Sequence, residues 1–334
     1  MTDTLHINHK QITSNKLLDN LLLNFPLWFP IVYIFLALNF PSFTKILFIS
    51  SLFLFAETHF ASTWLFFFDK ENWSWVRLNF YKVVFIPSYI LILTIIAWFF
   101  SPSFIILTHY IASGWHVTRQ SAGIMKLYGV KTKIYTWIVY FVSFLCLSIG
   151  IKQPGLLAST INIGAINILI GISFIIYLLI LYLNKLGRLS NILVNSLPVL
   201  TGISIYLPIL FFKDLYTATA VGVGMHWCQY MALTFSYYFR KKNSLSTQQN
   251  YSSNSNSSRL LFIVFYSLLM TTLAVIGMPN INTENSQYSF LYLIPLLFQF
   301  YHFYVDGYIW KFSDPHIKQS VLRYLYFPSK SKIN

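Results

Sequence analysis

Long, largely apolar runs recur along the chain and constrain its fold more than any other feature. Each run is long enough to cross the hydrocarbon core of a bilayer, about 30 Å thick, as an α-helix. Helices are favoured because a backbone inside lipid must satisfy its own hydrogen bonds. The sequence therefore predicts an all-α, polytopic transmembrane bundle of about ten helices. The runs lie at roughly 24–40, 43–68, 83–100, 103–126, 134–151, 163–183, 192–212, 215–238, 260–278 and 288–311.

The distribution of charge supports this topology and sets its orientation. Only 10% of the residues are charged, whereas about 25% is usual for a soluble domain. With a cytoplasmic N-terminus, all of the 23 Lys and Arg residues except Lys45, Lys152 and Lys213 fall in cytoplasmic segments, as the positive-inside rule expects. The net charge of +14 is thus explained by topology, and no nucleic-acid partner is predicted. We expect a multi-pass protein of the inner (plasma) membrane with both termini in the cytoplasm.

The runs divide the chain into three parts. Residues 1–23 are predicted to form a cytoplasmic segment with an amphipathic helix over 10–23 that lies in the membrane surface. Residues 24–312 form the transmembrane bundle, and residues 313–334 form a basic cytoplasmic tail. Within the bundle, the polar, Ser- and Asn-rich stretch 241–258 is predicted to be a disordered cytoplasmic loop.

Four histidines in predicted helices are expected at one depth in the membrane. His59, His116, His226 and His302 lie on the second, fourth, eighth and tenth helices, which all run towards the cytoplasm, and each stands nine to fourteen residues before a charged cytoplasmic residue. At about 1.5 Å per residue, they occupy a slab roughly 8 Å deep. His109 lies two turns nearer the outside and falls off this plane. The pattern predicts that His59, His116, His226 and His302 bind one metal ion.

The composition of this set indicates which metal it would hold. Neutral imidazole suits iron, zinc and copper, and several imidazoles with a carboxylate and an open position suit non-haem iron that activates O₂. Asp306, four residues after His302, is on the same helix face and is either a fifth ligand or an acceptor for an imidazole N–H. Non-haem Fe is the favoured cofactor, and haem or Zn is the alternative.

Other polar residues at helical spacing are predicted to complete the site. Gln120 and Gln229 follow His116 and His226 and could accept a hydrogen bond from a ligand imidazole. Glu57 precedes His59 but points about 200° away around the helix, so it is expected to be an outer partner of the cofactor site.

The residues expected to act beside the metal are Asp306, Arg119 and Tyr230. Arg119 could pair with Asp306 or Glu57, or receive an anionic head group. Trp310 near the end of the last helix is interpreted as a member of an interfacial aromatic belt.

Short pieces of sequence around these histidines resemble motifs of a bacterial family of multi-helix membrane proteins. The pieces are Thr58-His59-Phe60…Thr63-Trp64, Arg119-Gln120…Gly123, His226…Gln229-Tyr230 and His302…Asp306-Gly307…Ile309-Trp310. In arrangement the chain is similar to membrane-bound non-haem iron oxygenases of the Brp/Blh carotenoid-cleaving type, and this likeness implies histidines from several helices around one iron. The HxxxH and HxxHH boxes of acyl desaturases are absent from the sequence, so a desaturase-type di-iron centre is not predicted.

The sequence thus favours a membrane-embedded, metal-dependent oxidoreductase, a non-haem iron oxygenase whose substrate is a hydrophobic or isoprenoid lipid drawn from the surrounding membrane lipids. Two other hypotheses use the same residues. In a transporter or channel, the histidines and Asp306 would form a proton relay or substrate site. In a haem-binding membrane protein, two of the histidines would be axial ligands.

Overall fold

The computed structural model describes residues 12, 19, 21–130, 132–153, 155–185, 191–212, 215–246, 254–278 and 288–326. Within these ranges the regular structure is entirely helical, with no strand. Five helices are long and apolar enough to cross a membrane, which confirms the predicted helical fold class and the membrane character of the chain. They are Pro41–Phe67, Tyr81–Phe100, Lys133–Lys152, Ile163–Leu183 and Ser257–Gly277.

We number the described helices in chain order. They are α1 (Phe25–Asn39), α2 (Pro41–Phe67), α3 (Lys70–Leu78), α4 (Tyr81–Phe100), α5 (Pro102–Leu127), α6 (Lys133–Lys152), α7 (Leu156–Thr160), α8 (Ile163–Lys185), α9 (Asn191–Ser204), α10 (Pro208–Phe211), α11 (Leu215–Ser246), α12 (Asn254–Gly277), α13 (Phe290–Ile309) and α14, which comprises the segments Pro315–Ile317, Lys318–Leu322 and Arg323–Leu325.

Proline and glycine mark the joins between helices. At the tight join between α4 and α5, the side chain of Ser101 accepts a hydrogen bond from the backbone N–H of Phe104 (3.3 Å), and Pro102 occupies the first turn, where its missing N–H costs nothing. Gly129 after α5 has a φ of +84°, a conformation that glycine adopts without strain. The predicted seventh run is divided into α9 and α10, with Pro208 starting the second piece.

The segments outside the bundle differ from the sequence-based expectation. The connection after α2 contains the helix α3, because Asp69 caps its first turn by accepting from Glu71 N (2.9 Å). The predicted disordered loop 241–258 is shortened from both sides, since α11 continues to Ser246 and α12 begins at Asn254. Residues 247–253, most of the predicted amphipathic helix 10–23, and the tail beyond 326 lie outside the described residues. The described part of the tail includes α14.

The four helices that carry the buried histidines lie together in the protein. α2 and α5 each contact both α11 and α13. By contrast, only 11% of the apolar stretch of α8 is buried inside the protein, so α8 presents a hydrocarbon-like surface outwards. Large apolar surfaces of this kind are stable against lipid and not against water.

Candidate metal centre

The four predicted ligand histidines come together between α2, α5, α11 and α13. All four are buried, with exposed fractions of 0% for His59, 6% for His116, 0% for His226 and 2% for His302. Ring centroids lie 4.4 Å apart for His59 and His302 and 4.8 Å for His116 and His302. The ring of His226 is 5.2 Å from that of His59 and 5.7 Å from that of His116. The structure thus brings together the residues that the depth argument selected.

Three of these histidines have the spacing of metal ligands. His59, His116 and His302 each offer a ring nitrogen within 4.8 Å of the others, and Nε2 of His302 is 3.2 Å from Nε2 of His116. Two nitrogens bound to one ion at about 2.1 Å lie roughly 3.0 to 3.4 Å apart, for octahedral to tetrahedral angles. His226 does not belong to this closely spaced set of three.

Unpaired ring nitrogens distinguish this cluster from an ordinary hydrogen-bonded one. Both nitrogens of His59 and both nitrogens of His226 are buried and make no hydrogen bond within the described part of the chain. Leaving a buried polar atom without a partner costs about 1–3 kcal/mol. A metal ion would satisfy one lone pair on each ring, so the donor set fits a metal that prefers imidazole nitrogen.

A chain of hydrogen bonds fixes which nitrogen of His302 faces the cluster. The hydroxyl of Tyr230 donates to Oδ1 of Asp306 (2.7 Å), so the oxygen of Tyr230 accepts the hydrogen of Thr63 (3.0 Å). Because a hydroxyl has only one hydrogen, Oγ1 of Thr63 must then accept from Nδ1–H of His302 (2.7 Å). The lone pair of His302 therefore lies on Nε2, the atom that faces His116.

Asp306 lies at the end of this chain of hydrogen bonds, and both of its oxygens accept hydrogen bonds. Oδ1 accepts from Tyr230 and from Nε1 of Trp310 (3.1 Å), and Oδ2 accepts from the side-chain amide of Gln120. Oδ2 lies 3.8 Å from Nε2 of His116. A carboxylate accepting several N–H and O–H groups is the usual outer partner of a metal-bound histidine.

Local helix geometry explains how these side chains meet. Thr63 lies one turn after His59 on α2, and Tyr230 lies one turn after His226 on α11, so each pair shares a helix face. The ring of Tyr230 is 4.2 Å from that of His59. The stretch Leu52–Glu57 before His59 is a π-helical turn, and such turns occur frequently at functional sites.

Aromatic side chains cover the cluster on its apolar side. Phe60 contacts the rings of His59 and His302, at 4.8 and 5.0 Å. Phe303 contacts the ring of His116, at 4.8 Å, and that of Phe60, at 6.1 Å. These rings give the histidines surroundings that exclude water. The other imidazole of α5, that of the half-buried His109, packs on Phe303 at 5.4 Å, away from the group of four.

The predicted acceptors of imidazole N–H groups make other contacts. Gln120 donates to Asp306, Gln229 donates to the backbone carbonyl of Leu23, and Glu57 accepts from Gln299 (3.1 Å). These bonds use the amide N–H groups, and within the described residues no hydrogen bond joins Gln120 or Gln229 to a histidine, while Oε1 of Gln229 is buried without a partner there. Their role as acceptors of an imidazole N–H therefore stays a prediction.

Arg119 lies at the edge of the site and not inside it. Its side chain is exposed, and within the described residues it forms no ion pair with Asp306 or Glu57, the two partners predicted for it; the ion pairs of Asp306 are with histidines. Its guanidinium lies beside α13, because a Cβ at Gly307 would be 3.8 Å from Nη1 of Arg119.

Two contributors to the site were missed in the sequence. From the sequence, Thr63 is named only within the piece around His59, and Trp310 is interpreted as a belt residue although it donates to Asp306. The signal for Trp310 was its spacing of four from Asp306, which puts both on one face. Thr63 has no such signal towards His302, since the two are brought together only by the packing of α2 on α13.

Comparison with known proteins finds no match to this chain. No protein-family model matches the chain, and neither a curated protein nor a solved structure matches it. Its function is therefore argued from the geometry of the histidine cluster.

Proposed function

We propose that the protein is a membrane-embedded, metal-dependent oxidoreductase, a non-haem iron oxygenase that acts on a hydrophobic or isoprenoid lipid. The observation that carries the proposal is the convergence of His59, His116 and His302, whose ring nitrogens lie within 4.8 Å of one another in the buried interior. His226 is the fourth donor. The arrangement is similar to the histidine sites of Brp/Blh-type dioxygenases in drawing its donors from several helices.

The donor set fits iron better than the other ions that bind imidazole. Three or four neutral imidazoles with Asp306 close by leave room for a further ligand, which is typical of iron sites that use O₂. Iron bound here would supply the activation of O₂. Zinc would be held by the same nitrogens and is the alternative metal.

The residues of the chain prepare the site for that chemistry. Thr63 holds Nδ1–H of His302 and so presents the lone pair of Nε2 to the metal position. Asp306 accepts from Tyr230 and stabilises the chain of hydrogen bonds that ends on this histidine. The rings of Phe60 and Phe303 exclude water, which protects an oxidation from side reactions and offers an apolar surface to a lipid chain.

The proposed membrane arrangement has ten crossings, with both termini in the cytoplasm of an inner-membrane protein. The helices α1, α2, α4, α5, α6, α8, α9 with α10, α11, α12 and α13 correspond one by one to the predicted apolar runs. α5, α11 and α13 have 26, 32 and 20 residues, and 20 helical residues extend about 30 Å. The histidines His116, His226 and His302 of these helices face the site, so a lower apolar content is compatible with a membrane crossing.

One observation favours a second candidate, a proton-coupled transporter. The chain His302–Thr63–Tyr230–Asp306 consists of groups that exchange hydrogen bonds over 2.7 to 3.0 Å, as in a proton relay, and chains of this kind line the pathways of pumps. The 3.2 Å separation of His302 and His116 also suits a direct hydrogen bond.

Metal analysis of the purified full-length protein, together with its visible spectrum, separates these functions. Iron close to one ion per chain without a Soret band is expected from the proposal. A Soret band would assign haem to the site. Protein that contains no metal, and takes up none when ferrous iron is added without O₂, would contradict the oxygenase and leave the transporter as the better account of the buried histidines.

A further inference from the structure

Arg119 is an exposed cation beside the histidine cluster, and no acidic side chain in the described part of the chain pairs with it. It follows His116 by one turn on α5 and precedes Gln120, which donates to Asp306. Within the described residues, the carboxylates form ion pairs with His116, His302 and Lys241, and none forms an ion pair with Arg119. Asp306 is buried and accepts hydrogen bonds from three other donors.

The position of Arg119 makes this lack of a counter-ion costly. It lies eight residues before the end of α5, roughly 12 Å along the helix axis, and therefore within the proposed membrane. An arginine at such a depth is rare and functional by default. Its planar guanidinium matches the oxygens of a carboxylate or phosphate, so the group that would satisfy it is an oxyanion.

Beside this cation the surface is aromatic. Trp115, one turn earlier on α5, is 47% exposed, and its ring lies 5.7 Å from that of Tyr140 and 6.0 Å from that of Phe144 on α6. Gly307 of α13 carries no side chain, and a Cβ there would lie 3.8 Å from Nη1 of Arg119. A cation that lies beside a glycine and one turn from an exposed tryptophan is suited to an amphiphile with an anionic head.

From this geometry we propose that Arg119 binds the anionic head group of the lipid substrate, whose chain enters the cluster between α5 and α13 at Gly307. The proposal rests on the proposed function and narrows its substrate to an amphiphile with a carboxylate or phosphate head. Gly307 is adjacent to Asp306. When Arg119 holds the head group, the lipid chain therefore begins next to Asp306 and its hydrogen bonds. In this role Arg119 binds the head group and positions the lipid chain.

Fluorescent amphiphiles test this in the metal-free protein. Full-length protein in detergent, stripped with a chelator, is titrated with pyrene-labelled fatty acid, with pyrene-labelled phosphatidic acid and with the uncharged pyrene-labelled fatty alcohol. Binding is followed by energy transfer from tryptophan. Arg119→Gln should weaken binding of an anionic probe by at least about tenfold, as loss of a charge-assisted hydrogen bond does, and should leave the alcohol unchanged.

Two further variants complete the test. Arg119→Lys should restore part of the affinity, and Lys126→Gln removes another exposed positive charge from α5 and should have no effect. A loss with the fatty acid alone, with phosphatidic acid alone or with both supports the proposal and identifies the head group. Equal binding by wild type and Arg119→Gln, or an equal loss in Lys126→Gln, would overturn it. Because no metal is present, this result is independent of whether the histidines bind iron.

Discussion

The hydroxyl oxygen of Thr63 lies 2.7 Å from Nδ1 of His302, although the two residues are 239 positions apart in the chain. This contact orients the imidazole and places its lone pair on Nε2, so Thr63→Val should lower metal affinity by about 10- to 100-fold, the usual effect of losing an outer hydrogen bond of a ligand histidine. Metal binding to the purified variant, measured by titration, checks the expectation. Valine keeps the shape of threonine, so packing is preserved.

Thr63→Ser is the matched control for this prediction. It retains the hydroxyl, and with it the hydrogen bonds to His302 and Tyr230, and should bind metal nearly as tightly as wild type. If Thr63→Val binds metal as tightly as wild type, the tautomer of His302 is not set by this chain of hydrogen bonds.

Replacing the histidines one at a time should separate ligands from neighbours. His59→Ala, His116→Ala and His302→Ala should each lose stoichiometric metal, since each removes one of three nitrogens that converge. His109→Ala should retain it, because His109 packs against Phe303 at 5.4 Å, outside the cluster. Elemental analysis of the purified variants gives the result, and a loss in His109→Ala equal to the others would refute the site.

His226→Ala decides between three and four protein ligands. The ring of His226 is 5.2 Å from that of His59, and both its nitrogens are unpaired within the described residues. If His226 is the fourth donor, the variant should bind metal more weakly and with an altered spectrum. An unchanged iron spectrum would reduce the site to three histidines.

Asp306→Asn tests whether the carboxylate is a ligand or an outer acceptor. The hydrogen bonds from Tyr230, Trp310 and Gln120 occupy its oxygens, and we expect the variant to keep metal with affinity lowered about 10- to 100-fold. An amide can turn only one oxygen towards these three donors, so the free energy of unfolding should also fall by about 1–3 kcal/mol. Complete metal loss, as in His302→Ala, would make Asp306 a ligand.

The sequence predicted the membership of the cluster better than its hydrogen bonds. Depth along co-directional helices follows from a rise of 1.5 Å per residue, and this simple geometry selected His59, His116, His226 and His302 and set His109 apart. The same helical spacing put Gln120 and Gln229 beside His116 and His226, yet the hydrogen bonds that the structure shows for them go to Asp306 and to the backbone of Leu23. Which amide meets which acceptor depends on how neighbouring segments rotate against each other, and a single sequence does not specify those rotations.

The contribution of α2 illustrates the same limit. Helical spacing relates Thr63 to His59 on one face, yet its functional partner is His302 on another helix. The π-helical turn Leu52–Glu57 also changes the rotation of the helix before His59, and no residue type in that stretch predicts it.

Gly222, one turn before His226, allows the close approach of α11 to the connection between α9 and α10. A Cβ at Gly222 would collide with the backbone carbonyl oxygen of Ile205, and backbone cannot yield as a side chain can. Gly222→Ala should therefore lower the free energy of unfolding by about 1–3 kcal/mol, as overpacking does. Gly123 on α5 has no atom within 4 Å of its Cβ position, so Gly123→Ala should be neutral or stabilising. Thermal unfolding in detergent compares the two, and equal stability would contradict the close contact between Gly222 and Ile205.

Two serines in matched positions test the proposed orientation. Ser74 on α3 and Ser159 on α7 are both exposed, and each donates to a backbone carbonyl three residues earlier, at 2.7 and 2.8 Å. The native cysteines Cys146 and Cys228 are buried, so a membrane-impermeant maleimide should react little with wild-type protein in intact cells. With ten crossings and a cytoplasmic N-terminus, α7 lies outside and α3 inside.

Ser159→Cys should therefore be labelled in intact cells, whereas Ser74→Cys should be labelled only after the membrane is made permeable. Ser74→Cys should escape labelling in intact cells because Lys70, Arg77 and Lys82 lie in or near α3, and positively charged connections stay in the cytoplasm. The reverse pattern would invert the bundle and move the Arg119 end of α5 to the outer leaflet. Labelling of both variants before permeabilisation would mean that an odd number of the proposed crossings between α3 and α7 is wrong.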